Sequence, residues 1–142
     1  MIKSILIFSL ILCQDDSTLM VKITDRVEWY YVIPSSRKIT KANFDSNGVL
    51  YVTPKQFTAL RKVIVIKNGV DITNQVKFLR LSKYTASSGQ EYEFINFFSP
   101  SEKLPTHQSG IEWDDPEVEH KLSLEEKKVR EKLISHGKIK FR

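Results

Sequence analysis

Apolar residues along this chain follow two periods and one break. In Val76–Leu81 and Glu91–Phe97 large apolar side chains alternate with charged or polar ones, the two-residue repeat of a strand with one wet face. Lys62–Lys67 and Val49–Val52 are further short, largely apolar runs that read as strands. Turn signals separate these runs. Asn47-Gly48 stands between Ile39–Phe44 and Val49–Val52, Asn68-Gly69 between Lys62–Lys67 and Val70–Thr73, and Ser87-Ser88-Gly89 between Val76–Leu81 and Glu91–Phe97. Each predicts a hairpin, because Asn and Gly accept the positive φ that tight two-residue turns require. Thr53-Pro54-Lys55-Gln56 predicts a short helical turn to Leu60, with Thr as N-cap and Pro at the first helical position. In a strand Trp29 and Tyr31 share one face and Tyr30 takes the other, so the rings most simply belong to a core.

The break comes after Phe98. Residues 99–122 hold Pro100, Pro105 and Pro116 with few regular signals and read as a loop over the body. Ser123 and Glu126 then form a capping-box pattern, Leu122, Val129 and Leu133 a narrow apolar stripe, and Gly137 a helix stop, which predicts a helix over Leu124–Ser135. Glu126 and Arg130, one turn apart, are placed to pair on its surface. Lys138–Arg142 alternates, as an edge strand or a basic tail would. The expected organisation is an apolar N-terminal segment (1–17), a β domain (18–98), a loop (99–122), and a helix with basic tail (123–142). The fold class is mainly β, an antiparallel sandwich or barrel with a C-terminal α-helix.

Composition narrows the class. With 142 residues, 41% hydrophobic and 27% charged, the chain has the make-up of an ordinary globular domain, which excludes disorder and a multi-span membrane protein. The charge is uneven. Between Arg37 and Lys83 ten Lys or Arg face only Asp45 and Asp71, whereas the following stretch to Pro116 is acidic. The basic stretch suits an acidic protein face. It also suits a solvated surface, or pairing with Glu91, Glu93, Glu102, Glu112, Asp114 and Asp115 of the same chain. Nucleic acid is disfavoured because the cations are dispersed among apolar residues rather than clustered in a run.

Met1–Leu12 has two readings. One Lys followed by a mostly apolar run has the outline of a secretory signal, too short for a membrane span. Cys13-Gln14-Asp15-Asp16 resembles the lipidated cysteine and acidic export tag of surface lipoproteins in some Gram-negative bacteria, although Leu12 stands where that pattern has a small residue. Alternatively Ile2–Leu12 is a buried strand and Thr18–Thr24 returns beside it.

Candidate chemistry is sparse. His107, His120 and His136 lack the spacing of metal ligands, and Cys13 has no second cysteine. There is no Gly-rich phosphate loop or nucleophile elbow. No catalytic residue, metal site or cofactor is expected. Partner-binding candidates are the aromatic pair Trp29 and Tyr30, which offers contact area, and the cations Arg37, Lys38, Lys41, Arg61 and Lys62.

Two segments resemble known families. Phe97-Phe98-Ser99-Pro100-Ser101-Glu102 with Gly110-Ile111-Glu112-Trp113-Asp114-Asp115-Pro116-Glu117-Val118 resembles the C-terminal part of the dTDP-4-dehydrorhamnose 3,5-epimerases. That resemblance implies a cupin-like β-barrel dimer acting on a nucleotide-sugar through a His base and a Tyr acid. No histidine precedes His107, so the strand-borne base has no counterpart here. Residues 30–75 are similar in layout to the β-sandwich modules of phage tails and other surface fibres. Together these readings point to a non-catalytic structural or binding module of a larger assembly, on a virion or a cell surface, with other protein subunits as partners. A degenerate epimerase-like cupin and a surface lipoprotein are the alternatives.

Overall fold

The computed structural model describes residues 17–36, 43–101 and 113–141. Among the described residues seven strands, β1 (Thr18–Ile23), β2 (Trp29–Pro34), β3 (Val49–Val52), β4 (Lys62–Lys67), β5 (Val70–Asp71), β6 (Lys77–Thr85) and β7 (Glu91–Phe98), form two sheets with two helices, α1 (Pro54–Ala59) and α2 (Pro116–Ser135). The smaller sheet runs β1-β4-β5 and the larger β3-β2-β7-β6. The two sheets stay open rather than closing on each other, so of the two expected architectures the sandwich is the one formed.

Sheet, sheet and helix make three layers around two cores. Between the sheets pack Val21, Ile23, Tyr30, Val32, Leu50, Val63, Val65 and Phe97. On the other side of the larger sheet, Trp29, Tyr31, Ile33, Tyr51, Phe94 and Phe98 meet Leu122 of α2 and Ile139 beyond it. The alternation read in Trp29-Tyr30-Tyr31 therefore sends its rings into different cores. Tyr30 stacks on Phe97 at 5.0 Å and Trp29 tilts against Phe98 at 4.8 Å. β2 is enclosed on both faces, which is why it reads as an unbroken apolar run.

The Asn68-Gly69 hairpin forms as expected, with φ of 52° and 77° at its two central residues and Lys67 opposite Val70. Ser87–Gly89 joins β6 to β7 antiparallel, and Thr53 caps α1 by accepting from the Gln56 amide at 3.1 Å. At Asn47-Gly48 the outcome differs. A turn is present, in which Asp45 Oδ1 accepts from the amides of Asn47 (2.8 Å) and Val49 (3.0 Å), but β3 lies parallel to β2. The connection from Ser35 to Gly48 is long enough for the crossover that a parallel pair requires, and β1 is likewise parallel to β4. Both sheets are thus mixed rather than antiparallel. Ile39–Ala42 and the Ile2–Leu12 run lie outside the described residues.

The terminal helix begins at Pro116, well before the expected start. Asp115 is its N-cap, accepting from the Glu117 amide at 2.9 Å, and Pro116 fills the first turn, where a missing N–H costs nothing. Ser123 sits inside the helix. At the other end Gly137 (φ 70°) closes it, with Gly137 N–H donating to Ile134 O at 3.1 Å and Lys138 N–H to Leu133 O at 2.8 Å. The tail beyond is neither a strand nor free. Ile139 is buried in the helix-side core, and Phe141 stacks on Tyr84 at 4.8 Å and Tyr92 at 5.4 Å.

Candidate functional site

β6 forms one edge of the larger sheet, and its exposure sets it apart from the other long strands. It starts irregularly, with a register shift between Lys77 and Arg80. Lys77 and Phe78 both turn toward the helix layer: Lys77 Nζ lies 5.8 Å from the centre of the Trp113 ring and Phe78 packs in the helix-side core. Phe78 takes φ 58°, a conformation costing a non-glycine residue about 1–2 kcal/mol and typical of a bulge. From Arg80 to Thr85 the ladder to β7 is regular. Among the described residues no backbone bond outside that ladder reaches Lys77–Thr85. Every second N–H and C=O on this edge therefore faces outward.

The smaller sheet does not extend over the outer part of the larger one. There Leu81 (57% exposed), Leu79 (37%) and Ile95 floor a groove of about 280 Å³, and Leu60, Arg61, Lys62 and Val63 form its wall. Arg61 is held in place, its Nη1 donating to the carbonyls of Thr58 (3.3 Å) and Leu60 (3.0 Å) at the end of α1, while its amide and that of Lys62 both donate to Ser17 O. Lys83 stands cross-strand from Glu93 at the hairpin end. The site is an apolar floor beside an open strand edge, with cations on the wall.

The expected binding residues fare differently. Trp29 and Tyr30 are buried, 5% and 2% exposed, in separate cores, and offer no contact surface. Arg61 and Lys62 line the groove. Arg37, Lys38 and Lys41 lie outside the described residues. The groove's floor escaped the sequence reading because Leu79, Leu81 and Ile95 look like the dry half of alternating strands, and only the reach of the smaller sheet decides that they stay wet. Among the described residues two cations of the basic stretch form ion pairs, Lys67 with Asp25 and Arg80 with Glu119 at 3.1 Å, neither of them with the acidic segment named above.

A proton donor and an acceptor do face each other elsewhere. Tyr31 Oη donates to Glu126 Oε2 at 3.1 Å, and Arg130 Nε reaches the same oxygen at 3.2 Å with its guanidinium 5.0 Å from the Phe94 ring centre. Burial first, then the Glu126 charge, pushes the Tyr31 hydroxyl far above its ordinary value, so it keeps its proton and donates it to Glu126 in a hydrogen bond. Burial also raises Glu126, against the opposing pull of Arg130 and Tyr31. The trio is packed between β2 and α2 inside the core, and ties the helix to the sheet. The surface pair expected of Glu126 and Arg130 is therefore formed, but buried.

A larger cleft, about 490 Å³, opens between Lys22–Arg26, Asn43–Ser46 and the Asn68-Gly69 turn. Its Asp45 carboxylate is engaged by its own turn. Among the described residues no group of three His, Cys, Asp or Glu could hold a metal, and no helix is long and apolar enough to cross a membrane. His120 and His136 are exposed, and His107 lies outside the described residues. The residues quoted for the epimerase resemblance have structural work here: Phe97 and Phe98 fill the two cores, Trp113 packs on Phe98 at 5.7 Å, and Asp115 and Pro116 start α2.

No family model and no curated protein matches this chain. Among solved structures, a crystal structure described as "Putative Lipoprotein from Bacillus anthracis" aligns with 83% of this chain and 96% of its own, at 14% identity and a TM-score of 0.37. At that TM-score the backbones diverge too far for architecture or role to be carried across.

Proposed function

We infer that this protein is a non-catalytic binding module whose working surface is the β6 edge with its apolar groove, and that its partners are other proteins. The observation that carries the reading is Leu81, more than half exposed on a regular strand that, among the described residues, has a sheet neighbour on one side only. Burying such a residue against a partner contributes about 1.5–3 kcal/mol, and an unpaired strand edge supplies backbone bonds in addition. The donor-acceptor pair of Tyr31 and Glu126, the arrangement most like acid-base machinery, is enclosed in the core. In extracts of the natural host, the wild-type protein is expected to migrate in native separations well above its own mass and Leu81→Asp at its own mass. Identical migration of the two at the mass of one chain contradicts the reading.

A cell-surface setting is favoured by the order of Lys3, the apolar run to Leu12, and Cys13-Gln14-Asp15-Asp16. Mass spectrometry of the natural protein's N-terminus tests it. A mature chain starting at acylated Cys13 supports a surface lipoprotein, and an intact Met1 contradicts it.

A further inference from the structure

Resting on the binding-module reading, we propose that β6 accepts an extended, acidic segment of another protein as an added strand, with apolar side chains seated on Leu79 and Leu81 and carboxylates directed to Arg61 and Lys83. The geometry supplies the length. Leu79–Thr85 spans roughly 23 Å when extended and is regular from Arg80, so the bulge formed by Phe78 and Leu79 ends the usable edge on one side and the Ser87–Gly89 turn ends it on the other.

The pleat supplies the pattern. Leu81 is paired with Ile95 and Lys83 with Glu93 on the groove face, whereas Arg80, Ser82 and Tyr84 pair with Asn96, Phe94 and Tyr92 on the helix face. An added strand shares that alternation. Its groove-side residues become cross-strand neighbours of Leu79, Leu81 and Lys83, which asks for apolar, apolar and acidic in turn.

Charge selects the occupant. β6 carries no acid, and the cations left for the groove are Lys83 on the strand and Arg61 on the wall, since Lys77 lies over Trp113, Arg80 pairs with Glu119, and Lys62, next to inward-facing Val63, turns to the outer face of the smaller sheet where Asp71 stands. Glu93 offsets Lys83 in part, so the net attraction for carboxylates is greatest at the Arg61 end. A second copy pairing through its own β6 brings no carboxylate from that strand to Arg61 or Lys83, and a basic segment adds cations to them.

The test uses the full chain and a fluorescent peptide of alternating valine and glutamate, cut to the length of Leu79–Thr85. Controls are the valine–lysine peptide and two forms of the valine–glutamate peptide, each N-methylated at one of the two alternating sets of residues. Binding is followed by anisotropy, with hydrogen exchange of the β6 amides alongside. The glutamate peptide is expected to bind at least about tenfold more tightly than the lysine peptide, with an affinity that falls as salt rises. N-methylation is expected to abolish binding in one phase only, since only one set of peptide N–H groups faces β6. Leu81→Lys, a substitution at an exposed position, should weaken binding by about tenfold or more, and the outward β6 amides should gain protection in the complex. Equal binding of the glutamate and lysine peptides, indifference to N-methylation in both phases, absence of binding, or self-association of the wild type that Leu81→Lys abolishes would each overturn the proposal. If Leu81→Asp still releases the protein from its native assembly while the peptide fails, the binding face stands and strand addition falls.

Discussion

At the scale of single residues, the Tyr31–Glu126–Arg130 trio carries a pH signature. Glu126 is raised above its ordinary value chiefly by burial. A carboxyl whose folded value lies above its unfolded one contributes stability that is fully present below the ordinary glutamate range and is lost as pH rises through the folded value. Unfolding midpoints measured against pH should therefore fall for the wild type relative to Glu126→Gln as pH rises from the ordinary glutamate range through that raised value. Parallel curves would show that Glu126 is not raised. The i,i+4 pairing of Glu126 with Arg130 was legible in the sequence. Its burial was not, because it depends on Tyr31, which is distant along the chain and reaches the helix only once β2 lies beneath α2. Gly48 makes a second residue-scale case. Its φ is +79°, and a Cβ there would stand 2.5 Å from the Trp29 carbonyl oxygen and 2.8 Å from Val27 Cγ2. Gly48→Ala should destabilise by more than the roughly 1–2 kcal/mol of the left-handed conformation alone. Gly69→Ala, at φ +77° in open space, should cost only about that amount, as denaturant titration of the two variants would reveal.

At the scale of elements, local signals succeeded wherever the partner is the next strand. Asn68-Gly69 and Ser87–Gly89 each join neighbours, so turn chemistry alone fixes the pairing. Asn47-Gly48 has the same chemistry, yet β3 turned to β2, because tertiary burial of Val49, Leu50 and Tyr51 on both faces outweighs a local hairpin. The start of α2 offers a direct comparison of the two readings. Asp115 caps the helix and Ser123 lies within it, so Asp115→Ala should cost about 1 kcal/mol in chemical denaturation and Ser123→Ala less than about 0.5 kcal/mol. The opposite ranking would restore the capping box at Ser123. Asp-Asp-Pro at residues 114–116 was itself a start signal, obscured by the Pro-rich stretch before it.

At the scale of the whole molecule, two sheets and a helix of unequal width leave one strip of the larger sheet without a covering layer among the described residues. The mainly β class and the C-terminal helix were legible from period and turns. The strip was not, since which alternate face stays wet is decided by how far β1-β4-β5 extends, a property of no local window. Of the groove's lining only Arg61 and Lys62 are singled out in the sequence, as members of the basic stretch, while the aromatic candidates Trp29 and Tyr30 lie in the cores. The account's central claim is that β6 and its groove meet another protein in the native setting. A photoreactive residue placed at Leu81 in the natural host, with the same residue at exposed Lys127 on α2 as reference, tests this most directly. The account predicts a discrete protein adduct at Leu81 and none at Lys127, and no adduct at Leu81, or the same adducts at both positions, would contradict it.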